Sequence, residues 1–162
     1  MSGRTKITYR ELTVDLWEGM DFTFPDEAQA EMRDVFCNDP HAEVADCIGS
    51  SLEAHVAYTP DGKPIFVYGV CMYLPGGDRG VPTYNVWGFS STVAPRWPLA
   101  MVREGRKVMR RLRREYGSLY AFCDTRYRRS IKWLDMIGLH SANSVRVLSP
   151  GATAPAVLLE TD

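Results

Sequence analysis

Several side chains in this chain could do chemistry, and their spacing limits what that chemistry is. Cys37, His41 and Cys47 are metal ligands by type. Their spacing matches no zinc pattern and no fourth ligand is evident, so no metal is expected; buried thiols and a surface histidine are the plainer roles. Cys123 and His140 have the types of a nucleophile and its base, although a strand cysteine ahead of a helix more often packs in a core. A basic cluster stands out more sharply. In RYRRSIKWLDMIGLH, residues 126–140, Arg126, Arg128 and Arg129 crowd the entrance of a short helix. With Arg96 they stand before or at the starts of two helices, where positive side chains and helix dipoles attract phosphate. Like charge at the positive end of a dipole is unfavourable unless an anion answers it. The expected partner is therefore an anionic ligand, nucleic acid, or acidic side chains of this protein or a neighbour.

The charge balance sharpens that expectation. The formal net charge is −1, yet residues 96–132 hold twelve Lys and Arg against three acids. The remainder holds seven against seventeen. So basic a segment in a near-neutral protein suggests an anionic partner; a solvated helix face is the plainer alternative. A stripe of Arg103, Lys107, Arg110 and Arg114 points away from any cleft and suits a protein or nucleic-acid surface. No stretch approaches the roughly 20 apolar residues of a membrane span, and MSGRTKITYREL has no apolar segment of a signal peptide. Four scattered cysteines without a C-x-x-C are expected as reduced thiols in a cytosolic compartment.

These residues need elements to position them. With 162 residues and 45% hydrophobic content, one domain with a sizeable core is expected over residues 1–162. A short strand is predicted at Lys6–Leu12, then helical pieces at Thr13–Met20, Pro25–Phe36 and Pro40–Ile48. Pro25 with Asp26 and Glu27 is a helix-start signal. Strands follow at His55–Thr59 and Ile65–Leu74, around the turn Pro60-Asp61-Gly62. GGDRGVP, residues 76–82, reads as a loop. Thr83–Thr92 is the next strand, with Gly88 marking a bulge or a close approach. A long helix runs from Pro98 to Tyr116 and stops at Gly117, with Met101, Gly105, Val108 and Leu112 on one face. Ser118–Thr125 is a strand ahead of the basic stretch, whose helix turns Ile131, Leu134 and Ile137 inward and stops at Gly138 in the left-handed region. Two closing strands are predicted at SVRVL, residues 144–148, and PAVLLE, residues 155–160. The order implies one α/β domain on a mixed, mostly antiparallel sheet.

This order, and above all the strand and short helix from Ser118 to Leu139 ending Ile-Gly-Leu, resembles the GNAT family, the GCN5-related N-acyltransferases. More narrowly, VWGFSST…RKVMRRLRREYGSLYAF…RRSIKWLDMIGLH is similar to the GNAT-like internal virion proteins of short-tailed phages. The family resemblance implies acetyl transfer from acetyl-CoA to an amine of a protein or small molecule. It places the pantetheine arm on the strand before the long helix, at Phe89, Ser90 and Ser91, and the pyrophosphate at the following turn, where Arg96, Arg126, Arg128 and Arg129 add charge. It also implies a base and an acid: Glu53 and Asp124 are the base candidates, Tyr127 the acid candidate. Asp124 and Thr125 also precede a helix, where capping is the default role. The family turn reads Gln/Arg-x-x-Gly-x-Gly/Ala; here it reads APRWPL, residues 94–99, without glycine and with two prolines lacking N–H donors. Leu134 stands where the family's tyrosine acid is usual, and Tyr127, seven residues before it, where an asparagine contacts CoA. The narrower resemblance implies a virion- or DNA-ejection-associated scaffold beside other virion proteins, its catalysis weak or lost, located in the cytoplasm (of the host, if phage-encoded) or the virion. The broader one implies an active transferase.

Overall fold

The computed structural model describes residues 6–73 and 83–162. In chain order the elements are β1 (Thr8–Glu11), α1 (Val14–Glu18), α2 (Asp26–Asp34), α3 (Pro40–Gly49), β2 (Glu53–Tyr58), β3 (Pro64–Tyr73), β4 (Thr83–Ser90), a 3-10 turn (Ala94–Arg96), α4 (Pro98–Tyr116), β5 (Leu119–Asp124), α5 (Arg128–Ile137), β6 (His140–Arg146) and β7 (Ala156–Glu160). The strands form one seven-stranded sheet in the order β1-β2-β3-β4-β5-β7-β6. It is mixed and flanked by helices, as the sequence predicts. Every pairing is antiparallel except β4 with β5. The predicted loop at residues 76–82 lies outside the described residues.

Local chemistry accounts for the boundaries. At the β2–β3 turn Gly62 takes φ +83°, and the Thr59 hydroxyl donates to Asp61 while accepting from the Lys63 N–H. Asp39 caps α3 by accepting from the Ala42 N–H, with Pro40 in the first turn. Pro98 opens α4 and Gly117 closes it at φ +79°. Gly138 ends α5 at φ +109°, and the Leu139 N–H reaches back to the Leu134 carbonyl. That wrap turns the chain straight into β6, so β6 begins at His140 and not at Ser144. The polar run HSANS hides this strand in the sequence. The register shifts between Ser141 and Val145, with Asn143 at φ +55°.

The sheet separates two cores. On one face Phe66, Tyr68, Val70, Val86, Ala121 and Cys123 pack with Met101, Met109 and Leu112 of α4 and Ile137 of α5. On the other, Val56, Val67, Trp87 and Phe89 pack with Trp17, Ala28, Met32 and Val44 of α1–α3. Two close approaches hold these layers. Trp87 lies across β3 directly over Gly69, where an added Cβ would stand 2.6 Å from the indole. The register through Gly88 is continuous, without a bulge. Gly105 lets α5 settle on α4: a Cβ there would stand 2.8 Å from Ile137 and 3.1 Å from Trp133. The Trp133 indole N–H donates to the Met101 carbonyl across the same contact.

Two glycine substitutions should destabilise for different reasons. Gly105→Ala overpacks the α4–α5 contact and should cost about 1–3 kcal/mol. Gly138→Ala meets open space but keeps a positive φ and should cost about 1 kcal/mol. Denaturant titration of each variant measures both; Gly138→Asn should recover most of the second loss and none is expected at the first site from the same exchange.

Candidate active site

Among the described residues β4 and β5 pair at two positions, Tyr84 with Leu119 and Asn85 with Tyr120. The Asn85 amide fastens this seam by donating to the Tyr120 carbonyl. Beyond it, Val86–Ser90 pair with β3 alone and β5 pairs onward with β7. The strands splay, and a cavity of about 190 Å³ opens between them. Its lining comes from both faces of the sheet. Tyr68, Val86, Met109, Cys123, Trp133, Leu134 and Ile137 line it on the α4/α5 side; Ala28, Glu31, Phe36, Glu43, Trp87 and Phe89 line it on the α2/α3 side.

Glu31 is the chemically distinctive group in this cavity. It is 6% exposed, and burial pushes its carboxyl up from 4.5 to about 7, against the opposing hydrogen bonds from the Asp124 N–H and the Cys123 side chain. Its Oε2 accepts the Asp124 N–H at 2.8 Å. A carboxyl near 7 can take a proton at neutral pH. Tyr127 also lines the cavity; burial, with Glu27, Glu31 and Cys123 nearby, pushes its hydroxyl up to about 12. It is a proton donor rather than a phenolate. Burial and the Glu31 charge push the Cys123 thiol up too. Sequence reasoning missed Glu31, though a signal was present. Ala28, Glu31, Met32 and Val35 follow the i, i+3, i+4, i+7 stripe, so Glu31 sits among buried neighbours where an apolar side chain would be ordinary.

The predicted site residues divide. Phe89, Ser90 and Tyr127 line the cavity. Glu53 and Asp124 do not. Glu53, on β2, accepts from Arg111 at 2.5 Å, Tyr116 at 2.5 Å and His55 at 3.0 Å; burial opposes them, yet these bonds hold its carboxyl down at about 2. Asp124 ends β5 and accepts from Arg126 Nε at 3.0 Å and Nη2 at 2.7 Å. Arg126 Nη2 also reaches Asp34 of α2 at 2.9 Å, so its charge is answered from within. Ser91 is buried, its hydroxyl donating to the Pro64 carbonyl and accepting from the Val93 N–H. Arg96, Arg128 and Arg129 are exposed and form no ion pair among the described residues. On α4, Arg103 and Lys107 pair with Glu104 at 3.4 and 3.6 Å, while Arg110 and Arg114 face solvent.

The other candidate groups are apart. His140 pairs with Asp135 at 2.6 Å, whereas Cys123 contacts Glu31 and Ser130, so the nucleophile–base pair does not form. Cys37 is exposed at φ +56°, His41 stacks on Trp17 with centroids 4.7 Å apart, and Cys47 lies against Glu43.

Solved structures with this architecture are acetyltransferases by name. The chain is similar to an acetyltransferase of the GNAT family from Bacillus anthracis (TM-score 0.63, 10% identity, 97% of this chain and 95% of that one). It is also similar to aminoglycoside N(6')acetyltransferase from Legionella pneumophila (TM-score 0.64, 7% identity, 99% and 94%). A third similarity is to AAC(6')-Ib in complex with ribostamycin and coenzyme A (TM-score 0.63, 15% identity, 96% and 93%). The chain has the GNAT fold. No family model matches it, and no curated protein sequence does.

Within the GNAT fold of this chain, the turn from Ser91 to Trp97 spends its own donors. The Ser91 N–H goes to the Ile65 carbonyl, Thr92 to Thr23, Ala94 to Ser91, Arg96 to Val93 and Trp97 to Ala94. Val93 donates to the Ser91 hydroxyl, and Pro95 has no N–H. The splay has room for an extended thioester arm. From Ser91 to Trp97 no N–H is left for a pyrophosphate; the Leu99 and Ala100 N–H groups, in the first turn of α4 ahead of the Met101-to-Trp97 bond, and the side chains of Arg96, Arg128 and Arg129 are the donors that remain.

Glu31 also leaves a mark on stability. Between pH 4.5 and about 7 the folded protein holds a proton at Glu31 that the unfolded chain has released. This group's contribution therefore falls as pH rises through that interval. Glu31→Gln should flatten this part of the stability–pH curve, measured by urea titration across the same range; an unchanged slope would place the proton uptake elsewhere.

Proposed function

We propose that this protein is an N-acyltransferase that moves an acyl group from acyl-CoA to an amine within the β4–β5 cleft. The observation carrying this reading is the buried Glu31 carboxyl, raised to about 7, in one cavity with the Tyr127 hydroxyl. Acyl-CoA would supply the thioester carbon. Glu31 takes the proton of the incoming ammonium, leaving a neutral nitrogen to attack; the new C–N bond forms as the C–S bond breaks. Tyr127 gives its proton to the departing sulfur and takes up the second proton that the nitrogen sheds as the amide forms; Glu31 returns its proton to solvent. The apolar wall of Trp87, Phe89 and Leu134 excludes water that would otherwise hydrolyse the thioester. The named activities of the structures that share the fold support the same chemistry.

One observation favours a second reading, a binding scaffold with weak or lost catalysis: the closed turn from Ser91 to Trp97. The finer form of that reading, a virion- or ejection-associated protein in contact with nucleic acid or other virion proteins, rests on the sequence resemblance and the exposed arginines of α4. The three solved structures named above do not bear on it.

Two measurements separate the readings. For the transferase, acceptor-dependent release of free CoA thiol should rise with pH to a midpoint near 7, as Glu31 loses its proton. Glu31→Gln should lower kcat by about 100-fold or more, and Tyr127→Phe should lower it with KM little changed. Acetyl-CoA should bind with a Kd of about 100 μM or weaker, near −5.5 kcal/mol, because the turn contributes no donors. Arg128→Ala with Arg129→Ala should weaken that binding further by calorimetry, while leaving the melting temperature of the free protein equal or higher. No heat of binding at millimolar acetyl-CoA would sink the transferase and favour the scaffold.

A further inference from the structure

The two sides of the cavity differ in chemistry. The α4/α5 side is lined by Met109, Trp133, Leu134 and Ile137. The α2/α3 side carries two carboxyls, Glu31 and Glu43, among Phe36, Trp87 and Phe89. Among the described residues no Lys or Arg lines the cavity. Resting on the transferase reading above, we infer that the α2/α3 side takes an aliphatic diamine, its second ammonium seated by Glu43 while its reacting nitrogen meets Glu31.

Glu43 is half-buried on α3 and has no cationic partner among the described residues. Its carboxyl accepts from the Asn38 amide at 2.9 Å and from the Cys47 thiol at 3.8 Å. Asn38 also donates to Asp46 at 3.1 Å, so the neighbourhood adds negative charge and does not neutralise it. The Glu43 carboxylate is hydrogen-bonded but no counter-charge claims it. An incoming ammonium would supply one, and Trp87 and Phe36 line the same cavity. A monoamine brings one charge, which Glu31 must discharge before transfer; it leaves Glu43 unanswered. A slender diamine answers both carboxyls, and its aliphatic spacer suits the apolar residues that line the cavity with them. An acceptor bearing a carboxylate or phosphate would be repelled.

Calorimetry tests this without requiring turnover. 1,4-Diaminobutane should bind the whole protein at least 10-fold more tightly than butylamine. In Glu43→Gln that preference should collapse toward unity, with the melting temperature showing the variant folded; Glu43→Asp should keep part of it. Exchange of the exposed Glu18→Gln, which does not line the cavity, should keep all of it. Equal binding of the two amines, or an unaltered preference in Glu43→Gln, overturns the inference. Selective diamine binding with no thiol release from acetyl-CoA would support the inference and overturn the transferase reading, so the two failures are distinguishable.

Discussion

Two residue pairs hold the halves of this sheet together. β1 to β4 form a meander in chain order, β5, β7 and β6 form a second ladder, and among the described residues Tyr84–Leu119 and Asn85–Tyr120 alone join them. A parallel junction is slightly weaker per residue than an antiparallel one, and this one is unusually brief. Its shortness creates the cavity, because backbone that does not pair must either meet solvent or leave room for a guest. The helices compensate for the missing ladder. α4 crosses from one half to the other, and α5 locks on it at Gly105. On the opposite face Arg126 ties Asp34 of α2 to Asp124 of β5. The gap stays open because its edges are braced elsewhere.

The same geometry sets the electrostatics. Glu31 is buried only because α2 lies over the splay, and its one backbone donor comes from β5 rather than from its own helix. A carboxyl so placed is neither paired with a cation nor washed by solvent, which pushes its proton affinity toward neutrality. Glu53 shows the opposite outcome from similar chemistry: Arg111, Tyr116 and His55 surround it, and it serves to fasten α4 to β2. Identity as a carboxylate says little; the donors that reach it decide the role.

The architecture was largely legible in the sequence because punctuation is local. Pro98 and Gly117 bracket α4, and Gly138 ends α5, through backbone preferences that need no tertiary partner. The apolar stripes told which faces turn inward. The site was harder to read. Phe89 and Ser90 came from the family resemblance and Tyr127 from its place beside the basic cluster, whereas Glu31 becomes special only when α2 is laid over the β4–β5 gap, about ninety residues away in sequence. The roles of Ser91 and Arg126 were likewise settled by partners distant in the chain, Pro64 and Asp34. The first half of β6 escaped notice because HSANS lacks the apolar alternation of a half-buried strand; its side chains are mostly exposed at the sheet edge.

The placement of the tryptophans gives the molecule an optical property. Trp87 and Trp133 stand on opposite walls of the same cavity, one donating its indole N–H to the Ser51 hydroxyl and the other to the Met101 carbonyl. Each indole is fixed by that hydrogen bond, so its emission answers to what sits beside it. Trp17, fully buried beneath α3 and bonded to the His41 carbonyl, and Trp97, at the head of α4, stand outside the cavity lining and supply the background. A guest entering from the α2/α3 side would quench or shift the light from Trp87 first, and one entering from the α4/α5 side that from Trp133. The order in which two guests arrive is thereby written into intrinsic fluorescence, without any label attached.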